Sequence, residues 1–253
     1  EPFGVAIAPQ VLTWSQPDLK GTPMDEALFG EPVYLLKELT NAVLIKTFTG
    51  YWGYAAKESV WRLPRAEFIR LLNAPKATLL ADHRVNDRRL PSGSRLAIQE
   101  WGAGPECRLQ GVTGEILTVP KSICQRSDRD AGITQLLAYA RTFLHAPYQL
   151  GGKNRASGID CSGLVQLSYR TLGVNLARDA KQQYLGGHLI LPCVREALLP
   201  GDALFFMNDA GQVDHVALYL GQDEILHATG NQVKLQSTKP SASNYLKRLD
   251  RDF

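Results

Sequence analysis

Near residue 128 the chain changes character, and this change constrains the fold more than any single motif. Before it, short apolar runs are broken by Gly, Pro and Asn. Helical periodicity appears only after it. Leu28–Leu36 reads as a turn entering a strand, Val43–Phe48 as a second strand, and Gly50–Tyr54 follows. Further on, Leu90–Ile98 has the same shape and is followed by Gly111–Ile116 and Lys121–Ile123. This weak internal repeat of short strands predicts two small β-barrels. Residues 61–75, with Trp61, Pro64, Phe68, Leu71 and Leu72, read as a linker holding a short helical turn.

The second part opens on a group of N-cap candidates, Ser127, Asp128 and Asp130. Ile133, Leu136, Leu137, Ala140 and Leu144 then follow at helical spacing. A glycine-rich loop runs from Pro147 to Gly158. A second helix is expected to start at Asp160 or Cys161, carry Leu164, Val165, Tyr169 and Leu172 on one face, and stop at Gly173. Three or four strands are expected after it, at Ala203–Met207, His215–Leu220, Glu224–Ala228 and Val233–Gln236. Helices first and an antiparallel sheet afterwards make an α+β order.

The bulk properties exclude several classes. With 253 residues, 44% hydrophobic and 21% charged, the chain is an ordinary globular protein with room for more than one domain. The net charge of +3 demands no nucleic acid, and Arg84, Arg88 and Arg89 read as a solvated face. No apolar run reaches the roughly 18–20 residues that span a bilayer. No signal peptide is visible, and the chain starts at Glu1 without Met, as either a removed leader or a trimmed chain would. Of the four cysteines, Cys107, Cys124, Cys161 and Cys193, none lies in a C-x-x-C pair, so neither a zinc site nor a thioredoxin-like motif is expected. Cys107 and Cys124 could form a disulfide in an exported protein or be two buried thiols.

Ser157–Val165 is the most informative segment. Asp160 is a good N-cap, which puts Cys161 in the first helical turn. There, unpaired N–H groups and the positive helix end favour a thiolate. A cysteine nucleophile needs a base within hydrogen-bond reach. Val213–Leu220 alternates as a strand with His215, Ala217 and Tyr219 on one face, and Ile225–Ala228 carries His227 on the next strand. Across a hairpin His227 could bond the far nitrogen of His215 and fix its tautomer.

These elements occur in order over about 110 residues: Tyr148-Gln149-Leu150-Gly151-Gly152, Asp160-Cys161-Ser162-Gly163, Pro200-Gly201-Asp202, His215-Val216 and Ile225-Leu226-His227-Ala228. The set resembles the NlpC/p60 family of papain-like cysteine peptidases. Leu150 stands where the family motif has Trp, and the loop from Tyr148 to Cys161 is one residue longer than usual. The stretches before residue 128 resemble bacterial SH3-like (SH3b) domains. The fold implied is multidomain, two small all-β SH3-like barrels followed by an α+β papain-like domain. Its divisions would be an extension at 1–20, SH3b-like domains at 21–74 and 75–127, and the peptidase domain at 128–253.

By the same resemblance Cys161 attacks, His215 shuttles the proton, His227 orients His215, Tyr148 lines the oxyanion site and Ser162 borders the substrate. No metal or cofactor is required. The implied substrate is the peptidoglycan stem peptide, cut between D-γ-glutamate and diaminopimelate or lysine. Leu176–Gln183 resembles the segment of family members that need a free N-terminal L-Ala, in which Asp179 would pair with the substrate ammonium and Ala180 replaces a serine. In that subgroup an SH3b domain adds an acid and a tyrosine, and Glu26 and Tyr51 are the candidates here. The implied enzyme is a monomer of the periplasm or exterior, rather than the cytoplasm, that trims muropeptides. Other readings are an amidase or acyltransferase on the same fold, and a non-catalytic wall-binding protein.

Overall fold

Alternating buried and exposed positions along residues 3–62 build one antiparallel sheet of seven strands in a computed structural model that describes residues 1–129, 131–188 and 197–249. The strands are β1 (Phe3–Ala6), β2 (Gln10–Trp14), β3 (Pro23–Leu28), β4 (Pro32–Glu38), β5 (Ala42–Thr47), β6 (Trp52–Ala56) and β7 (Val60–Arg62). Their order is β3-β2-β6-β5-β4-β1-β7. The inward positions Ala6, Val11, Ala27, Val33, Val43, Ile45 and Ala55 form one core. Helix α1 (Arg65–Asn73) starts after Pro64, whose ring tolerates a first helical turn. It buries Phe68 against Phe3, with ring centroids 4.8 Å apart, and against Tyr34 at 5.3 Å.

A second sheet follows, made of β8 (Lys76–Leu79), β11 (Arg95–Glu100), β12 (Glu106–Gln110), β13 (Ile116–Pro120) and β14 (Cys124–Arg126) in the order β13-β12-β11-β8-β14. A separate hairpin is formed by β9 (His83–Val85) and β10 (Arg88–Leu90). Leu79, Leu90, Leu96, Leu109 and Val119 pack with Phe29 as its core. Cys107 and Cys124 are free thiols with their sulfurs 4.0 Å apart, both pushed up in pKa by burial. Cys193 lies outside the described residues.

This arrangement corrects the expected architecture of two SH3-like barrels followed by an α+β papain-like domain. The chain is mostly β, with four α-helices among the described residues. Its first 126 residues form a seven-stranded sheet, a five-stranded sheet and a hairpin. Residues 1–20 supply β1 and β2, and β1 lies between β4 and β7. Two compact units result. Unit 1 is Glu1–Asp130 with Leu150–Arg155, and unit 2 is Ala131–Gln149 with Ala156–Phe253. Spacing of short strands reports how often the chain turns. It does not report which strands pair, because pairing is decided by packing between residues far apart in sequence.

Leu150–Arg155 contains β15 (Lys153–Asn154) and packs in unit 1 around a buried charge cluster. The Lys153 side chain is fully buried, with Nζ 3.2 Å from Asp25 Oδ1 and 3.9 Å from Glu31 Oε2. Its backbone N–H donates to Glu26 Oε2. Thr49 Oγ1 donates to the other Asp25 oxygen. Burial pushes the Glu26 carboxyl up to about 7, against the opposing pull of the Lys153 N–H and ammonium. Tyr51 sits in the β5–β6 turn, where its carbonyl accepts from Thr47 N–H at 2.8 Å.

Unit 2 holds α2 (Gly132–Arg141), β16 (Gly158–Ile159), α3 (Cys161–Arg170) and α4 (Ala180–Gly186), then β17 (Ala203–Met207), β18 (Val213–Gly221), β19 (Glu224–Thr229) and β20 (Gln232–Ser237). Leu136 and Ala140 of α2 are buried as the periodicity predicts, whereas Ile133 is exposed. Of the expected caps for α2, Asp130 lies outside the described residues. The last four strands form an antiparallel sheet in sequence order, with Leu204 opposite Ala217 and Leu218 opposite Leu226. Leu204, Phe206, Ala217, Tyr219, Ile225 and Leu249 are its core. Among the described residues no helix is long and apolar enough to cross a membrane.

Candidate active site

Asp160 stops the extended chain and starts α3. Its backbone is extended (φ −94°, ψ 176°), and its Oδ1 accepts the Gly163 N–H at 2.7 Å. This N-cap places Cys161 as the first helical residue, with its free N–H groups beside the thiol. The thiol is buried, 8% exposed, and accepts from the backbone N–H groups of Ser162 and of Val216 on β18. The Val216 contact brings the thiol alongside the strand that carries His215 as its preceding residue.

The two histidines meet as the hairpin expectation requires. His215 Nε2 and His227 Nδ1 are 2.8 Å apart across β18 and β19. His227 is 1% exposed, and its Nε2 is 2.8 Å from Gln236 Oε1 on β20. The other face of His215 meets the Phe206 ring, at 5.5 Å between centroids. Arg248 lies over that ring at 5.4 Å and pairs with Asp214. Tyr148 is held by its backbone N–H on the Asn231 carbonyl at 2.9 Å. Its phenol is pushed up to about 12, first by burial and then by electrostatic coupling to Cys161 and Asp160.

The charge state is set by burial. Desolvation, with Asp160 adding to it, pushes the Cys161 thiol up to about 11 against the two N–H groups and Arg178. Burial, then His227 and Arg248, depresses His215 to about 3 against Asp214. The helix start alone predicts a lowered thiol; loss of water outweighs it here. Burial thus favours a neutral thiol beside a neutral imidazole at rest. Alkylation of Cys161 by iodoacetamide should accelerate about tenfold per pH unit from pH 6 to 10. A flat, fast rate from pH 5 to 8 would instead mean a preformed thiolate–imidazolium pair.

Two groups at the site escaped the sequence reading. Arg178, 1% exposed, grips Asp160 with both amino groups, Nη1 to Oδ1 at 3.0 Å and Nη2 to Oδ2 at 2.6 Å, and donates to Ser162 Oγ at 2.9 Å. Ser162, expected to border the substrate, is thus a buried link in this ion pair. Its hydroxyl donates to Asp160 Oδ1 at 3.2 Å. Gln236 is the second, its only signal being strand periodicity that puts it on the His227 face. Asp179 is the N-cap of α4, and its backbone N–H donates to Gln182 Oε1 at 3.4 Å. The D-x-x-Q spacing of a capping box was readable there. Glu26 and Tyr51 belong to unit 1, with the contacts described above. No three His, Cys, Asp or Glu side chains converge as metal ligands among the described residues.

The family model described as "NlpC/P60 family" matches residues 145–250, which leaves most of unit 1 outside it. A protein of Lysinibacillus sphaericus named "Dipeptidyl-peptidase 6" is 30% identical over 92% of this chain and 90% of its own length. A "Gamma-D-glutamyl-L-lysine dipeptidyl-peptidase" of Bacillus cereus is 34% identical over 37% of this chain, which covers 27% of that relative. The crystal structure of an NlpC/P60 family protein from Bacillus cereus superposes with a TM-score of 0.82 at 18% identity, over 94% of this chain and 95% of that one. Similarity across the full length to the first relative and the family match over the Cys161–His215–His227 segment lead to one conclusion: the chain belongs to the NlpC/P60 peptidoglycan hydrolase family, of the cysteine-peptidase class.

Proposed function

We propose that this chain cleaves the bond between D-γ-glutamate and the diamino acid of peptidoglycan stem peptides that carry a free N-terminal L-Ala. The observation that carries the reading is the 2.8 Å His215–His227 contact on the strands next to a helix-start cysteine, with the thiol on the Val216 N–H. The names of the two relatives, a dipeptidyl-peptidase and a γ-D-glutamyl-L-lysine dipeptidyl-peptidase, support the bond and the short peptide. The bond is a wall-peptide bond, so the cell envelope is the place of action that this reading favours.

In this reading Cys161 Sγ attacks the γ-glutamyl carbonyl carbon as its proton passes to His215. The oxyanion is met by the Cys161 N–H and the Tyr148 hydroxyl. His215, oriented by His227, gives that proton to the leaving amine, and the C–N bond breaks to leave a thioester. Water then attacks the thioester carbon and gives a proton to His215. The C–S bond breaks, the carboxylic acid departs, and the proton returns to sulfur.

Asp179 supplies the partner for the substrate ammonium. Its partly exposed position at the start of α4 suits a carboxylate that meets a charged ligand. The test compares L-Ala-γ-D-Glu-diaminopimelate with its N-acetylated form. The free peptide should be cut and the acetylated one spared. Asp179→Asn should raise KM for the free peptide about tenfold, the loss of roughly one charged contact, with kcat little changed. Equal cleavage of both forms would remove the amine requirement, and cleavage of neither would remove the substrate assignment.

A further inference from the structure

We infer that Gln236 is a positioning residue that sets the tautomers of both histidines and thereby leaves Nδ1 of His215 as the basic atom. This rests on the proposed use of His215 as the base. Two contacts in a row define the problem. His215 Nε2 faces His227 Nδ1 at 2.8 Å, and His227 Nε2 faces Gln236 Oε1 at 2.8 Å.

A neutral imidazole carries one proton, on one nitrogen or the other. Burial depresses both histidines, so each carries one. The two facing nitrogens share a single proton, since two would collide and none would leave no bond. Only two arrangements satisfy the row. In the first, Gln236 Oε1 accepts the His227 Nε2–H, His227 Nδ1 accepts the His215 Nε2–H, and His215 Nδ1 keeps its lone pair. In the second, the amide is turned, every proton shifts along, and His215 carries its proton on Nδ1 with no basic nitrogen left over.

The carboxamide oxygen is the end that faces His227, which selects the first arrangement. Gln236 is only half-buried, so its NH2 is left where water can pair it. The register supports the same geometry: Lys234 is directly opposite His227, and Gln236 lies two residues further along on the same face. Lys234 cannot take the place of Gln236, because an ammonium only donates and would force the second arrangement. The other charged groups around the pair, Asp214 and Arg248, lie on the His215 side and bond each other. The tautomer signal therefore enters from β20.

The test uses the full chain with 15N-labelled histidine, whose ring nitrogens report by chemical shift which one is protonated. At pH 7 both rings of the wild type should be Nε2–H. Gln236→Leu should mix the His227 tautomers and lower kcat on the free stem peptide about 10- to 100-fold with KM nearly unchanged. That is less than the roughly 10⁴-fold cost of a wrong tautomer imposed directly on a catalytic histidine. Gln236→Glu, which can only accept, should restore the Nε2–H pattern and most of kcat. An Nδ1–H wild type, or a Gln236→Leu variant with unchanged tautomers and kcat, would overturn the inference. A wild type that cleaves no stem peptide would fail the substrate reading, and the spectra would still decide the tautomers.

Discussion

Cys161→Ala is expected to remove stem-peptide hydrolysis almost completely, by about 10⁴- to 10⁶-fold in kcat, with the fold intact. The sulfur accepts the Ser162 N–H at the start of α3 and the Val216 N–H on β18, the residue after His215. Among the described residues of unit 2, no other nucleophilic side chain is recorded beside that pair of histidines. The change removes one buried sulfur and leaves Cβ, so the helix cap and the Asp160–Arg178 pair are untouched, and the melting transition should move by no more than the equivalent of about 1 kcal/mol. His215→Ala should cost nearly as much as Cys161→Ala, and the double variant scarcely more than either, because nucleophile and base act as one unit. Product release followed by mass spectrometry, beside a thermal melt, measures both halves of this expectation. Turnover that survived in Cys161→Ala would move the chemistry to another group.

The second large effect is on stability. Arg178→Met should destabilise unit 2 by about 3–5 kcal/mol, because it leaves the Asp160 carboxylate buried without its counter-charge. Arg178 and Asp160 are bonded through both guanidinium arms, and Ser162 Oγ is satisfied by the same side chain. Removing the cation strips three hydrogen bonds and leaves the charge that caps α3. On a domain of this size the melting midpoint should fall on the order of 10 °C. Asp160→Asn added to Arg178→Met should recover part of the loss, since the orphaned charge goes with it. The double-mutant cycle then separates the pair's coupling from the cost of the leftover carboxylate. A Met variant as stable as the wild type would show that water or another cation compensates Asp160.

Much of this site was readable from residues alone, and the failures have physical causes. The last four strands lie within two residues of their expected bounds, because runs of β-branched, aromatic and other apolar residues ended by turns mark strands even where, as in β18 and β19, both faces are buried. The start of α3 was legible from Asp160, since a cap is a local hydrogen bond. Arg178 was not, because its partner is eighteen residues away and an arginine beside an aspartate reads as surface. The thiol's raised pKa was equally hidden: a helix start is visible in the letters, whereas the depth of burial is not. The N-terminal sheets failed for a third reason. Short strands and turn glycines say that a chain is β, and the pairing of β1 with β4 and β7 depends on contacts no local pattern contains.

The excursion of Leu150–Arg155 into unit 1 has a consequence for dissecting this protein. The chain crosses between its two units three times, near residues 130, 149 and 155, so no single cut can separate them. A fragment beginning at residue 131 would keep Cys161, His215 and His227 and yet carry Lys153 away from Asp25 and Glu31. A swap of the first 130 residues for another module would strand the same ammonium. The division into units is thus spatial rather than genetic, and recombination at the visible boundary would sever a piece of one unit along with the whole of the other.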